Sequence, residues 1–380
     1  MPATREVACA LFALLLAACA EVQHPPEPVP AFPALTQRRF AQPDLEGTAL
    51  SSAPPELALE GGTQLIRISL GGGDPIDCSV HRSRLSGASR IRGIVSALGR
   101  EVEVREVGPI AVSMVHGPSG DAPALFVNIV YSNEGAPGEY KVAVLSRGDL
   151  SVLCTHDEPG EREAFARVVL GLFATLRDPS LDPGPAPRFH EVQLVQQDGL
   201  TLGFRELRTS GPAGGKEAQR LVQESLVVPS RGAKVSAQDA VSLESCDEAG
   251  LLKGGWYSLD RDDSFLEVRL VERPGDFLLE GTESGQPIRA TLPKPLFCQP
   301  PDQALRDLAD GKGTEVRTQG YLPALDPRAA HELVYRREVG RTLAVEVAGL
   351  GLHASVTVDG EGRIDSTSIG ARRTARSWSR

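Results

Sequence analysis

Proline limits what this chain can fold into. Of its 380 residues, 29 are proline, and they are bunched. Pro25, Pro26, Pro28, Pro30, Pro33, Pro43, Pro54 and Pro55 crowd one stretch; Pro179, Pro183, Pro185 and Pro187 crowd another. Each proline removes a backbone donor and clashes with a continuing helix, so such stretches resist both helix and sheet. Two segments remain that are long enough to bury a core, residues 57–180 and 188–370. Residues 19–56 read as an extended, coreless tether, and 181–187 as the linker between two domains. At about 3.1 Å per residue in a polyproline conformation, the tether reaches up to roughly 100 Å.

Ahead of the tether stand Arg5, an apolar run from Val7 to Ala18, and Leu16-Ala17-Ala18-Cys19. A charged start, a short apolar core and small residues before a cut make residues 1–18 a signal peptide. The run is too short to span a bilayer, which takes about 20 apolar residues. Leu16-Ala17-Ala18-Cys19 resembles the lipobox of bacterial lipoproteins. That resemblance implies a diacylglyceryl group on the Cys19 thiol, cleavage before Cys19, and often a further acyl chain such as palmitate on the new amine. Two or three chains anchor firmly where one binds marginally. Ala20 stands where an Asp retains enterobacterial lipoproteins at the inner membrane. The implied place is therefore the outer membrane, facing the periplasm or the cell surface. The implied partners are the membrane, through the anchor, and an envelope protein or ligand. A formal net charge of -10 argues against nucleic acid, whose phosphates attract basic surfaces.

Within 57–180, Ile66, Ile68 and Leu70 alternate as a strand does. Ile91, Ile94, Val95 and Leu98 recur at helical spacing, with Ser86 as a candidate N-cap. Strands are expected near 101–105, 110–115, 124–131, 139–146 and 150–155, separated by glycine- and proline-rich turns. Phe165, Val168, Val169, Leu172, Phe173 and Leu176 form one apolar helix face. The order is strand, helix, hairpin strands, helix. It implies an antiparallel sheet with helices on one face, and is similar to the order in PsbP/Mog1-like domains. Within 188–370, Val192/Leu194 and Leu202/Phe204 alternate across Asp198-Gly199, and further alternating runs follow to Ile364. Ala218, Leu221 and Val222 suggest one short helix, and Leu305 with Leu308 another. The fold class expected is α+β: two domains, each an antiparallel sheet with one or two packed helices. Residues 371–380, with four arginines and Trp378, read as a frayed basic tail.

Chemical signatures are sparse. His331-Glu332 begins a metalloprotease motif, but residue 335 is Tyr. Gly211–Lys216 lacks the glycine spacing and the following Ser or Thr of a phosphate loop. Asp260, Asp262 and Asp263 lack a calcium loop's glycine and read as a solvated turn. No catalytic residue, metal ligand or cofactor site is assigned. The expected function is a non-catalytic binding or scaffold lipoprotein of the envelope; the alternative is an envelope enzyme with a site assembled from scattered residues. Four cysteines remain after Cys9 is cut off and Cys19 lipidated. Each domain holds two, so export to an oxidising compartment suggests the disulfides Cys78–Cys154 and Cys246–Cys298. Rival readings are a zinc site from Cys78, His81, Cys154 and His156, and a reactive thiolate at Cys154 beside His156.

Overall fold

The computed structural model describes residues 36–42, 45–51, 56–60, 63–68, 74–82, 87–117, 120–147, 150–175, 187–211, 217–230, 234–262 and 264–379. Strands make up 65% and helices 13%. The chain is therefore β-rich and barrel-like, and the α+β class is corrected. Cys19 and the signal peptide lie outside the described residues, as does most of the linker.

Residues 36–51, read as tether, hold a hairpin of β1 (Thr36–Gln42) and β2 (Leu45–Ser51). Between Pro33 and Pro54 only Pro43 intervenes, and it falls between the two strands, so both can pair.

A seven-stranded antiparallel sheet follows. Its strands are β3 (Glu56–Glu60), β4 (Thr63–Ile68), β5 (Ile76–Arg82), β6 (Glu103–Gly117), β7 (Gly120–Asn133), β8 (Ala136–Arg147) and β9 (Leu150–Asp157). They lie in the order 3-4-5-9-8-7-6. Helix α1 (Gly87–Glu101) joins β5 to β6, and α2 (Arg162–Thr175) follows β9. The helices pack on opposite faces, not on one. Ala124, Ala143 and Leu145 meet Phe165, Val168 and Leu172 of α2. Leu125, Val127, Val142 and Val144 meet Ile91 and Val95 of α1. Both faces of the central strands are thus buried, which is why β7 reads as a nearly unbroken apolar run.

The second sheet has fourteen strands. One meander comprises β10 (Phe189–Gln197), β11 (Leu200–Ser210), β12 (Glu217–Pro229), β13 (Val235–Asp247), β14 (Leu252–Arg261), β15 (Ser264–Glu272), β16 (Asp276–Glu283) and β17 (Gln286–Pro293). The other comprises β18 (Glu315–Tyr321), β19 (Ala330–Arg337), β20 (Thr342–Val347), β21 (Leu352–Val358), β22 (Ile364–Ile369) and β23 (Arg372–Ser379). The two join where β23 pairs with β10. Helix α3 (Asp302–Ala309) lies between β17 and β18. A twisted sheet of this width curls on itself. Its seam is Leu296–Cys298: Leu252 N donates to Leu296 O (2.8 Å), Cys298 N to Gly250 O (2.9 Å) and Phe297 N to Gln319 O (2.7 Å). Residues from both meanders are thereby tied to one segment.

Two sequence expectations are corrected here. Ala218, Leu221 and Val222 lie in strand β12, not a helix. Of the segment read as a frayed tail, Arg372–Ser379 is the strand that joins the two meanders.

The two sheets share a core. Val192, Phe204, Val227 and Ala237 of the barrel pack with α1 and β7. The α1 N-terminus is held by the barrel. Ala88 N donates to Asp239 Oδ1 (3.1 Å) and Ser225 Oγ (3.1 Å), and Ser89 N to Asp239 Oδ2 (2.8 Å). Asp239 is 3% exposed, so a buried carboxylate caps the positive end of the helix. A Cβ at Gly87 would sit 2.3 Å from Ser225 Oγ; glycine there lets the helix touch the sheet. A second tie is Glu206, also buried, which accepts from Arg208 Nε (2.7 Å) and lies 2.7 Å from His190 Nε2, while Arg208 Nη2 reaches Asp121 O (2.5 Å).

Candidate functional site

Strand periodicity sorts the barrel's side chains. At β10 to β13, Val192, Phe204, Ser225 and Asp239 face outward to α1. Their neighbours Glu191, Gln193, Arg205, Arg220, Glu224 and Glu244 belong to the opposite, inward face, as the cross-strand pairs Arg205↔Glu224 and Arg220↔Glu244 require. The interior has three zones. One apolar core gathers Tyr257, Leu270, Phe277, Leu279 and Leu296. Another packs Leu305 and Leu308 of α3 on Leu343, Val356 and Val358. Between them Glu191, Arg205, Arg220, Asp302 and Arg363 line a cavity of ≈ 420 Å³, within the range of small-molecule sites. Phe189, Leu207, Leu305 and Ile364 give it apolar wall. A second hollow of ≈ 340 Å³ shares Thr209, Arg220, Gln299, Pro300 and Asp302 with it, and leads past Cys246 and Cys298.

The wall is built of ion pairs. Arg376 Nε donates to Glu191 Oε2 (2.6 Å), and its Nη atoms reach Asp359. Arg220 Nη1 donates to Glu244 Oε2 (2.7 Å) and to Cys298 O (2.9 Å). Arg363 binds Asp359 (3.1 Å) and Glu361 (2.9 Å). Burial pushes the Arg205 guanidinium below its ordinary pKa, while Glu224, Glu244 and Glu191 oppose that fall. Burial likewise raises the Asp302 carboxyl, against the pull of Arg363. Charges this poorly solvated gain most from a partner of opposite sign.

Cys78 and Cys154 face each other on β5 and β9 and are bonded, S–S 2.03 Å; Cys246 and Cys298 are bonded at 2.10 Å. The zinc and reactive-thiol readings are thereby corrected, because neither cysteine of the first pair offers a thiolate. His156 is buried and stacked on Phe165. Glu244 lies near the sulfurs of Cys246 and Cys298, but the disulfide withdraws them as ligands too. Asp262 accepts from Ala237 N (2.9 Å) and Ser236 Oγ (2.7 Å), so this carboxylate of the acidic turn is committed to the fold; Asp263 lies outside the described residues. His331 is buried in β19. Gly211 is described, and 212–216 are not.

None of Arg205, Arg220, Glu191 or Asp302 stood out in the sequence. The available signal was charge at both strand parities, as in Arg205-Glu206-Leu207-Arg208. Arg205 shares the inward face with Leu207, and Glu206 and Arg208 share the outward face with Phe204, so both faces of the strand mix charged and apolar residues.

No family model and no curated protein matches the chain. Among solved structures it is similar to a β-barrel-like protein of domain of unknown function DUF1849 from Brucella abortus. The identity is 10%, over 50% of this chain and 96% of that one, with a TM-score of 0.37. It is also similar to a DUF1089 family protein from Pseudomonas aeruginosa, at 20% identity over 41% and 89% of the chains, with a TM-score of 0.25.

Proposed function

We propose that this chain is a lipid-anchored, non-catalytic binding protein of a bacterial cell envelope, and that it holds a small ligand inside the barrel. The observation that carries the reading is the charged cavity left open between two closed apolar cores. An interior needed only for stability closes over apolar side chains, whereas buried charge is costly unless it is paired. Glu191 and Glu244 are committed to arginines, which suits holding a guest rather than moving protons. The anchor rests on Leu16-Ala17-Ala18-Cys19, and two disulfides fit an oxidising compartment. Ala20, where an Asp would retain an enterobacterial lipoprotein at the inner membrane, supports an outer-membrane anchor.

Intact-mass analysis of the chain isolated from its host's envelope tests both parts. The denatured protein should begin at Cys19 and carry the added mass of acyl chains. A small molecule should be released on denaturation. An unmodified Cys19 contradicts the anchor, and an empty protein contradicts the binding role.

A further inference from the structure

Nearly every charge at the cavity has a mate. Glu191 has Arg376, Arg220 has Glu244, and Arg363 has Asp359 and Glu361. Two do not. The Arg205 guanidinium and the Asp302 carboxylate both line the cavity, and neither makes a direct hydrogen bond or close ion pair among the described residues, although Glu224 stands across from Arg205 and Arg363 is within electrostatic reach of Asp302. They come from different walls: Arg205 from β11, and Asp302 from the start of α3. Arg220 is within electrostatic reach of both, and its own Nε is buried without an acceptor. Leu207, Leu305 and Ile364 add apolar wall.

We infer that the cavity takes a zwitterionic small molecule with an apolar body, its anionic group on Arg205 and its ammonium on Asp302. The inference rests on the binding role proposed above and adds the ligand's chemistry. A lone anion leaves the Asp302 charge unmet, a lone cation leaves the Arg205 charge unmet, and a neutral sugar can hydrogen-bond both but neutralises neither. Charge-assisted hydrogen bonds at each end are the strong kind. Anion and ammonium joined in one molecule occur both in short peptides and in an ethanolamine phosphate headgroup.

Titration calorimetry on the mature full-length protein, disulfides intact, separates the possibilities. The probes are dileucine, its N-acetyl form (anion only), its amide (cation only), O-phosphoethanolamine and maltose. At least one zwitterion should bind, and the tighter one names the source. Each capped dileucine should bind about tenfold more weakly than dileucine, or worse, if the peptide is the source. Arg205→Gln should weaken the N-acetyl form and leave the amide unchanged. Asp302→Asn should do the reverse. That crossed pattern is one a merely damaged fold does not produce, and the capped probes on the unaltered protein stand even if a variant misfolds. Where dileucine is the tighter zwitterion, capped forms binding as well as it does overturn the inference; in either case, no zwitterion binding overturns it. Maltose binding while both zwitterions fail overturns it and leaves the binding role intact.

Discussion

Replacing Cys246 and Cys298 together with serine should cost about 4 kcal/mol of stability, the loop-closure entropy of a cross-link spanning this much chain. The sequence separation is 52 residues. The bond joins the end of β13 to the seam at Leu296–Cys298, where both meanders are tied. Cys298 O also accepts from Arg220 at the cavity wall. The damage should therefore reach the site as well: ligand affinity should fall along with stability. Denaturant unfolding measures the first effect and calorimetry the second. A double variant with unchanged midpoint and affinity shows that the seam holds without the bond. The matching replacement of Cys78 and Cys154, at a separation of 76, should cost about as much stability. It should leave affinity intact, because that bond lies in the seven-stranded sheet.

Asp239→Ala should cost about 3 kcal/mol. It removes the acceptor for the Ser89 amide and for Ser225 Oγ, which donates at 2.5 Å, and one of two acceptors for the Ala88 amide. The donors stay buried, and each unmet buried donor costs about 1–3 kcal/mol, partly offset where Ser225 still accepts from Ala88. The cap it deletes is worth about 1 kcal/mol of that total. Because the carboxylate belongs to the barrel and the helix to the other sheet, the loss should be felt across the interface. Hydrogen exchange at α1 and at β12–β13 should accelerate together. Exchange confined to α1 shows that the sheets are coupled by the apolar contacts of Val192, Phe204 and Val227 alone. Asp239→Asn keeps one acceptor and should cost less than the alanine variant.

Local rules were legible wherever neighbours in sequence decide the structure. Phe165, Val168, Val169, Leu172 and Phe173 all become buried on α2. Asp198-Gly199 forms the β10–β11 turn with positive φ at both positions, 54° and 78°, as a two-residue hairpin requires. What failed was set by partners far along the chain. The α1 cap expected at Ser86 lies outside the described residues; what no local rule announces is that the Ser89 amide is met by Asp239, 150 residues away. Ala218, Leu221 and Val222 mimic a helix because β12 turns Arg220 and Glu224 inward, so its polar and apolar residues do not segregate by face. Arg376 and Trp378 looked like surface tail because nothing nearby in sequence can bury them. Their partners, Glu191 and His190, lie on β10. The cavity was illegible for the same reason: Arg205 and Asp302 become neighbours of one space only after the sheet curls.

The occupancy of that space is the most direct measure of the account. Leu207 lines the cavity, and Leu207→Trp puts an indole into it. Native mass spectrometry of the chain isolated from its host's envelope should show a small bound molecule on the unaltered protein and none, or far less, on Leu207→Trp, with both proteins unfolding cooperatively. A bound molecule retained in full by Leu207→Trp, or none on either protein, contradicts a ligand site inside the barrel.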